Sequence, residues 1–515
     1  MKASHVSAKG IVAAVLATLG MTAGAYAEDL GNNDFKIGGY LRTWASFNLQ
    51  DHPETVQNDK GDLSMLRGSL FLEADAKFSQ GIKVKAITRL DRELRTNYLK
   101  RLDELPGQAS NLMDQYNQLE LRELYVDAPL GDRVNLRFGK QQVVWGETDF
   151  FRAMDVVHGF DFRWRSFLEG ENEELRKPLI LANAQIQVPE AHGSLQLIAR
   201  PGLDRNRDIG NTFDLSGGRW ANQPNKGVDF FGPAFPGGPR LTDYDYRHPK
   251  GNTNDTTYGF RWQQELASSV NYSLIYMKTF NNDPVVNPGT LPISLGAVPY
   301  MVAGKNFLGD FIYPKIDVYG VTASTYTPAI DAVLSTEVVY NRGVPFNVGS
   351  NFLGGTLPGF AGIALKDTLV TMFRMDKQIK LQSLIGSSRP SFFSVQFFNT
   401  HVLGWNANDD IVSLAGFGLK KRRDSAILTT ILAMNYNNDR VNPTIAAGWD
   451  ATYSGGFFIP SVEFVMGDNW RLKAEADIFF NSGKNKQPGQ IETNTGLFGY
   501  FANNNQLVFR LTRQF

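Results

Sequence analysis

The sequence predicts an all-β protein: a transmembrane antiparallel β-barrel of about eighteen strands, sixteen being the alternative, with long external loops and one inward-folded segment. Three observations predict it. Apolar and polar residues alternate in runs of about ten residues, the length a tilted strand needs to cross a bilayer. The links between the runs are short and long in turn. The chain begins with a secretory leader and finishes on an alternating strand with a terminal aromatic residue.

The leader spans 1–27. Lys2 and Lys9 form its positive region, GIVAAVLATLGMTAGA its apolar stretch, and Ala25-Tyr26-Ala27 its cleavage site. Its removal leaves 50 basic against 52 acidic residues, a balance that favours neither nucleic acid nor an anionic membrane surface as partner. With a mean hydropathy of −0.26 and no later apolar run long enough, the chain is not a bundle of membrane helices. Cysteine is absent, which excludes disulfides, thiolate metal sites and cysteine nucleophiles.

Two segments show the alternation best. In FKIGGYLRTWASFNL, Phe35, Ile37, Leu41, Ala45, Phe47 and Leu49 share one face, and Lys36, Tyr40, Arg42, Ser46 and Asn48 the other. In WRLKAEADIFF, Trp470, Leu472, Ala474, Ala476, Ile478 and Phe480 oppose Arg471, Lys473, Glu475 and Asp477. Strands are expected near 35–50, 63–78, 81–93, 119–128, 133–144, 178–188, 194–200, 256–264, 269–280, 314–326, 331–342, 366–378, 390–402, 425–437, 443–453, 457–466, 469–481 and 505–515. Links after even strands are mostly short (SQG, APLGD, ELAS, TPAI, GDN) and those after odd strands mostly long. Outer-membrane barrels pair short periplasmic turns with long external loops in this way, and an even strand count leaves both termini in the periplasm.

The last strand, NQLVFRLTRQF, alternates through Leu507, Phe509 and Leu511 to Phe515. It resembles the terminal signal read by the barrel-assembly machinery, the expected partner at that end. Lipid and lipopolysaccharide are the expected surroundings. Trp470 and Phe515 are expected at the periplasmic rim, Tyr340 and Tyr453 at the outer rim.

Charged residues in such strands must face the lumen or a rim, because each costs several kcal/mol at mid-membrane. Arg67, Glu73, Asp75 and Lys77 fall on one inward face, Lys83, Lys85, Arg89 and Asp91 on the next, and Glu337, Arg374 and Asp376 later. Mixed signs on facing strands suit a structural ladder of ion pairs better than an ion filter, which would carry one dominant sign.

The third external link, 145–177, does not fit a surface loop. It holds Trp145, Phe150, Phe151, Phe160, Phe162, Trp164 and Phe167 among Glu147, Asp149, Arg152, Asp155, Asp161, Arg163 and Arg165, with His158 between. Exposed, these aromatics would form a large apolar patch. Folded inward, they bury one another and their charges meet the lumenal ladder. DFFRAMDVV has helical spacing, with Phe150, Phe151, Met154 and Val157 on one side, and predicts a short helix. The segment reads either as a packed plug or as a constriction that selects amphipathic substrates. In the second case Trp145, Glu147, Asp149, Phe150, Phe151, Arg152, Asp155, His158, Asp161, Arg163, Trp164 and Arg165 are the contact residues.

GKQQVVWGETDFFRAMDVV followed by ELRKPLILANAQI resembles the signature of a large proteobacterial outer-membrane family catalogued as domain of unknown function 1302. Matching pieces recur in DTTYGFRW, DVYGVTAS and FFIPSVEFVMGDNWRLKAEADIFF, so the resemblance covers essentially the whole mature chain. It implies an outer-membrane barrel, often encoded near exporters of hydrophobic compounds and a lipoprotein-like periplasmic partner. It supplies no catalytic residues. Family members usually carry Asn-Pro where this chain has His158-Gly159.

Other motifs fall short of a site. DRNRDIG, with Asp204, Asn206 and Asp208, has its glycine one place late for a calcium loop and no closing glutamate. His192-Gly193-Ser194 has the spacing of a phospholipase pair but sits in a short turn without partners for acyl transfer. The histidines show no metal-ligand spacing. No metal, cofactor or catalytic group is therefore expected, and the protein is read as a non-enzyme. The Gly/Pro-rich apolar links FGPAFPGGPR, PGTLPISLGAVPYM and NFLGGTLPGFAGIAL fit loops that cover a mouth, touch lipid, or pack on one another. The leading functional expectation is an outer-membrane channel or transporter for small amphipathic or hydrophobic compounds, gated by the inward segment. The second is a non-conducting barrel that docks a periplasmic lipoprotein or exporter through IKLQSLIGSSRP, residues 379–390. The third, a lipid-acting enzyme, needs a Ser/His/Asp cluster that the pattern does not show.

Overall fold

The structure, a computed structural model, describes residues 35–51, 58–78, 81–103, 112–169, 172–214, 218–220, 255–266, 269–286, 311–349, 362–413, 419–481, 497–502 and 504–515. The leader and the links FGPAFPGGPR and PGTLPISLGAVPYM lie outside the described residues, as does most of NFLGGTLPGFAGIAL.

Among the described residues, eighteen long strands run antiparallel to their neighbours. They are β1 (Phe35–Asn48), β2 (Leu63–Lys77), β3 (Lys83–Glu93), β4 (Gln118–Leu130), β5 (Val134–Gln141), β6 (Leu179–Val188), β7 (Gly193–Arg200), β8 (Thr257–Leu266) and β9 (Val270–Phe280). The second half comprises β10 (Lys315–Thr327), β11 (Ala332–Val348), β12 (Gly362–Ile379), β13 (Ser391–Val402), β14 (Asp424–Ala433), β15 (Val441–Asp450), β16 (Gly455–Met466), β17 (Trp470–Asn481) and β18 (Gln506–Gln514). Each pairs with the next, and β1 pairs with β18 from Tyr40↔Gln514 to Asn48↔Gln506, so the sheet closes. Closure gives every one of these strands a neighbour on each side, as hydrocarbon requires. Phe515 extends the seam: its N–H and carbonyl bond Gly39 at 3.1 and 3.2 Å.

The two faces divide as the alternation predicts. Leu136, Phe138, Leu197, Phe260, Leu274, Val321, Phe373, Phe397, Phe458 and Phe480 are all exposed on the outside. On a soluble protein that would be an anomalous surface; around a barrel it is the lipid face. The rings of Tyr258, Tyr276, Tyr319 and Tyr340 neighbour one another across β8 to β11, and Tyr340 donates to Asp367. Tyr453 sits in the turn after β15 and donates to the Lys420 carbonyl at 3.0 Å. At the other end, the Arg513 guanidinium lies 5.6 Å from the Trp470 ring centre.

The inner face has two unlike halves. Across β2, β3 and β4, the Arg67 guanidinium meets Asp91 at 2.8 Å, Arg89 meets Asp91 at 3.1 Å and Glu120 at 3.3 Å, and Lys85 meets Glu73. This is the expected ladder. A bulge opposite Ile87/Thr88 turns both Arg122 and Glu123 into it. The opposite wall is apolar within: Leu181, Ile198, Ile275, Met277, Val318, Val339, Met372 and Phe398 form one buried cluster. Strands apolar on both faces read as continuous runs, such as YSLIYM in β9, rather than as alternation.

Candidate functional site

The chain leaves the wall after Gln141 and rejoins it at Leu179. Between them it spans the lumen, because its partners lie all around the barrel. Trp145 Nε1 donates to Gln196 on β7 at 2.8 Å. The N–H groups of Glu147 and Met154 donate to the two carboxylate oxygens of Glu337 on β11 at 2.7 and 2.8 Å. Asp149 lies 3.4 Å from Arg374 on β12 and bonds Gln396 on β13. On the far side Arg165 reaches Glu475 and Asp477 on β17, and Glu174 pairs with Arg42 on β1.

The helix expected over DFFRAMDVV does not form; 142–159 is irregular. Its one-sided apolar spacing is spent in several directions instead. Phe150 packs on Phe457, Phe151 against Phe398 and Phe498, and Met154 and Val157 on the apolar wall. Its backbone donors at 147, 149 and 154 go to wall side chains, not to carbonyls four residues back. In a lumen rich in acceptors, buried N–H groups are satisfied without helical bonds. Short turns occur later, at Ser166–Leu168 and Asn172–Leu175.

His158 clamps the two ends of the segment together. Its Nε2 accepts the N–H of Val143 at 2.8 Å, and its Nδ1–H donates to the carbonyl of Lys177 at 3.0 Å. It is wholly buried, and burial with the nearby Arg176 charge lowers its pKa to about 3. It therefore stays neutral, with the proton on Nδ1. An asparagine side chain likewise offers both an acceptor and a donor. Gly159 follows because space demands it: a Cβ there would lie 1.9 Å from the Gly210 carbonyl oxygen.

The remaining expected contact residues divide by position. Asp161 takes a two-pronged bond from Arg163 at 2.8 and 2.7 Å and a third from Thr212 at 3.1 Å. The guanidinium and these bonds hold its carboxyl far below the usual range. Trp164 is buried edge-on to Trp44 and under the Arg67 guanidinium. Arg165 is buried beside three carboxylates, with Glu169 at 2.5 Å the third. Trp145, His158, Trp164 and Arg165 thus pack the segment into the barrel. Phe150, Phe151, Arg152 and Asp155 line a cavity of about 390 Å³. Phe160, Phe162, Phe213, Phe280 and Phe346 add rings to it, and Asp283 and Lys421 add charge. The Arg152 guanidinium stacks 3.3 Å from the Phe160 ring centre and donates to Asn172 at 2.9 Å. Burial lowers its pKa to about 9. Asp155 is held by Arg176 at 2.5 Å. The cavity combines seven phenylalanine rings with polar groups such as Asn211, Thr279 and Asn281, two cations and two carboxylates, a lining suited to an amphipathic guest.

Sequence reasoning missed Gln196, Gln396 and the later link that carries Asp214, Arg219 and Trp220. Arg219 pairs with Glu93 at 2.6 Å and donates to the Ser64 carbonyl, and Trp220 packs on Phe479 and Phe501. The Gly-Gly-Arg-Trp run at 217–220 was a signal, since an indole beside an arginine is out of place in an external loop. Asp204 and Asp208 of DRNRDIG are engaged by Arg200 at 2.7 Å and Arg205 at 3.1 Å.

A family model described as protein of unknown function (DUF1302) matches residues 7–515. The chain belongs to this family. No curated protein matches it in sequence. Solved structures of similar shape include OccAB2 of Acinetobacter baumannii, at 9% identity over 93% of this chain and 98% of that one, with a TM-score of 0.48. The outer membrane protein OpdK of Pseudomonas aeruginosa matches at 8% identity over 94% and 99%, TM-score 0.45. A BenF-like porin of Pseudomonas fluorescens Pf-5 matches at 10% identity over 94% and 98%, TM-score 0.45.

Proposed function

We propose that this member of the family is an outer-membrane channel or transporter for small amphipathic or hydrophobic compounds, and that residues 145–177 are its hatch. The observation that carries the reading is the cavity of about 390 Å³ between the inward segment and the wall, where phenylalanines stand beside Arg152, Asp155 and other polar groups. A closed barrel provides the conduit, and the inward segment fills it. Compounds with one apolar body and one polar group match that lining. The same reading places the mature protein in the outer membrane after cleavage near Ala27.

Single-channel conductance in planar bilayers tests this, comparing the full protein with a deletion of residues 148–170. A nearly closed full-length protein and a large pore in the deletion are expected. Equal silence from both would sink the hatch and leave a binding role.

One observation favours docking as a second role. The turn after β12 carries a short helix, Gln382–Ile385, on which Leu384 is 80% exposed. A leucine so placed suits a periplasmic lipoprotein or exporter subunit. Deleting 381–388 without loss of transport would remove this role.

A further inference from the structure

One pairing in the wall stops short. β4 runs Gln118–Leu130, but its ladder with β5 spans only Leu124↔Lys140 to Leu130↔Val134. β5 ends at Gln141, where the chain turns into the lumen. Residues 118–123 keep β3 on one side, from Asp91↔Gln118 to Ile87↔Glu123. On the other side, no strand accompanies them among the described residues. Six residues without a ladder partner make a seam about 20 Å long, at roughly 3.4 Å per residue. Side chains cross it. Arg122 donates to the carbonyls of Glu173 and Arg176 at 2.7 and 2.8 Å, and Gln118 to Asp161 at 3.2 Å.

A cavity of about 170 Å³ lies at this seam. Gln118 and Glu120, which point inward, line it together with Leu119, which points outward and is 71% exposed. The cavity therefore lies against the unpaired edge of β4, with Leu119 beside it on the outward face. Arg89, Arg122, Arg163, Lys177, Arg205 and Arg207 line it with Asp114, Glu120, Asp161 and Asp208, Arg89 pairing also with Asp91 at 3.1 Å and Arg205 with Asp208 at 3.1 Å. Arg205 and Arg207 are exposed, and Arg207 has no ion-pair partner among the described residues. Outside, β4 shows Leu119 and Leu121 to the surroundings. An open strand edge survives at membrane depth only where something covers it or polar groups line it. Here excess positive charge lies behind an apolar lip, at the external end of the wall.

We propose that this seam is a lateral binding site for an anionic amphiphile of the outer leaflet. Its acid group lies among Lys177, Arg205 and Arg207, and its apolar chain lies along Leu119 and Leu121 on the lipid side. The charge excess selects an anion, and the exposed leucines select one that carries a chain. The assignment does not depend on the hatch opening, so failure of the conductance test leaves it standing.

The test uses the full-length protein in phosphatidylcholine vesicles with spin-labelled stearate as probe. Spin-labelled phosphatidylcholine is the control for lipid immobilised around any barrel. Stearate is expected to show a saturable immobilised component beyond that of phosphatidylcholine, and the Arg205→Ala/Arg207→Ala double variant to bind it about tenfold more weakly. Both arginines are exposed, so the variant keeps the barrel. The chain has no cysteine, so a nitroxide on Leu121→Cys is a unique reporter, and bound stearate should broaden its spectrum. Equal immobilisation of the two lipids would overturn the site. Displacement of stearate by equimolar inorganic phosphate would make it a pocket for free anions instead. A label at 121 reached by water-soluble nickel but not by oxygen would place the seam outside the lipid and end the proposal.

Discussion

At the scale of single residues, the inward segment hangs on a few wall side chains. Glu337 is the clearest, because both of its oxygens accept N–H groups of the segment, at 147 and 154. Glu337→Gln keeps the shape but turns one acceptor into a donor facing a donor. Losing a buried charge-assisted bond costs about 1.5–3 kcal/mol. Channel openings should therefore rise roughly tenfold to a hundredfold in single-channel records, while the folded barrel keeps its heat-modifiable migration on gels. Unchanged opening would mean that Glu337 does not latch the segment. His158 predicts a pH response. Docked, its pKa is held at about 3; released into water it returns to roughly 6.5. Between those values the released state binds a proton that the docked state refuses, so docking weakens as pH falls. The loss is about 1.4 kcal/mol per pH unit and stops below pH ~3, where both states are protonated. Openings should grow as pH falls from about 6.5. His158→Asn should keep the clamp at neutral pH and lose most of this acid response in the same recordings.

At the scale of elements, the strands and the inward segment differ in how they were readable. Each expected strand is present, with ends shifted by a few residues, because alternation is enforced by two local solvents, lipid and lumen. The helix at 149–157 was misjudged because its apolar residues answer to several walls rather than one. A helical period signals a helix only when one surface receives that face. The anchoring at the far end of the segment was visible only in part. Arg165 stood out as a charged residue in an aromatic run, but its three carboxylate partners come from Glu169 and from β17. Removing one partner from such a buried set costs about 3–5 kcal/mol, because the others remain charged and unpaired. Arg165→Met should therefore release the C-terminal half of the segment. Protease cleavage near 165–177 in otherwise folded protein would report it, and resistance equal to the native protein would show that the aromatic packing suffices.

At the scale of the whole molecule, the inner wall is split into a densely charged side, β1 to β4 with β17, and a side, β6 to β13, where an apolar cluster is interrupted by Glu337 and Arg374. The charged side mixes both signs: Arg67, Arg89 and Arg122 alternate with Asp91, Glu93 and Glu120. A pore lined by paired charges has no dominant sign. Reversal potentials measured on the 148–170 deletion under a salt gradient should therefore show nearly equal cation and anion permeability. A strong preference for either ion would mean that the pairs open when the segment leaves.

The fold was legible in the chain because a barrel repeats one local rule, with side chains alternating between lipid and lumen and links alternating between short and long. That rule reaches only nearest neighbours along and across the sheet, so sequence order expresses it. The inward destination of 145–177 was legible for a similar reason, since its aromatics had no acceptable place in water. What the segment does inside was decided by the tertiary structure. Which of its residues seal and which line the cavity depends on wall partners far away in sequence, such as Gln196, Glu337 and Glu475. The seam beside β4 is likewise a property of the closed sheet: β5 ends early to feed the lumen, and the lost pairing appears only where its neighbour continues.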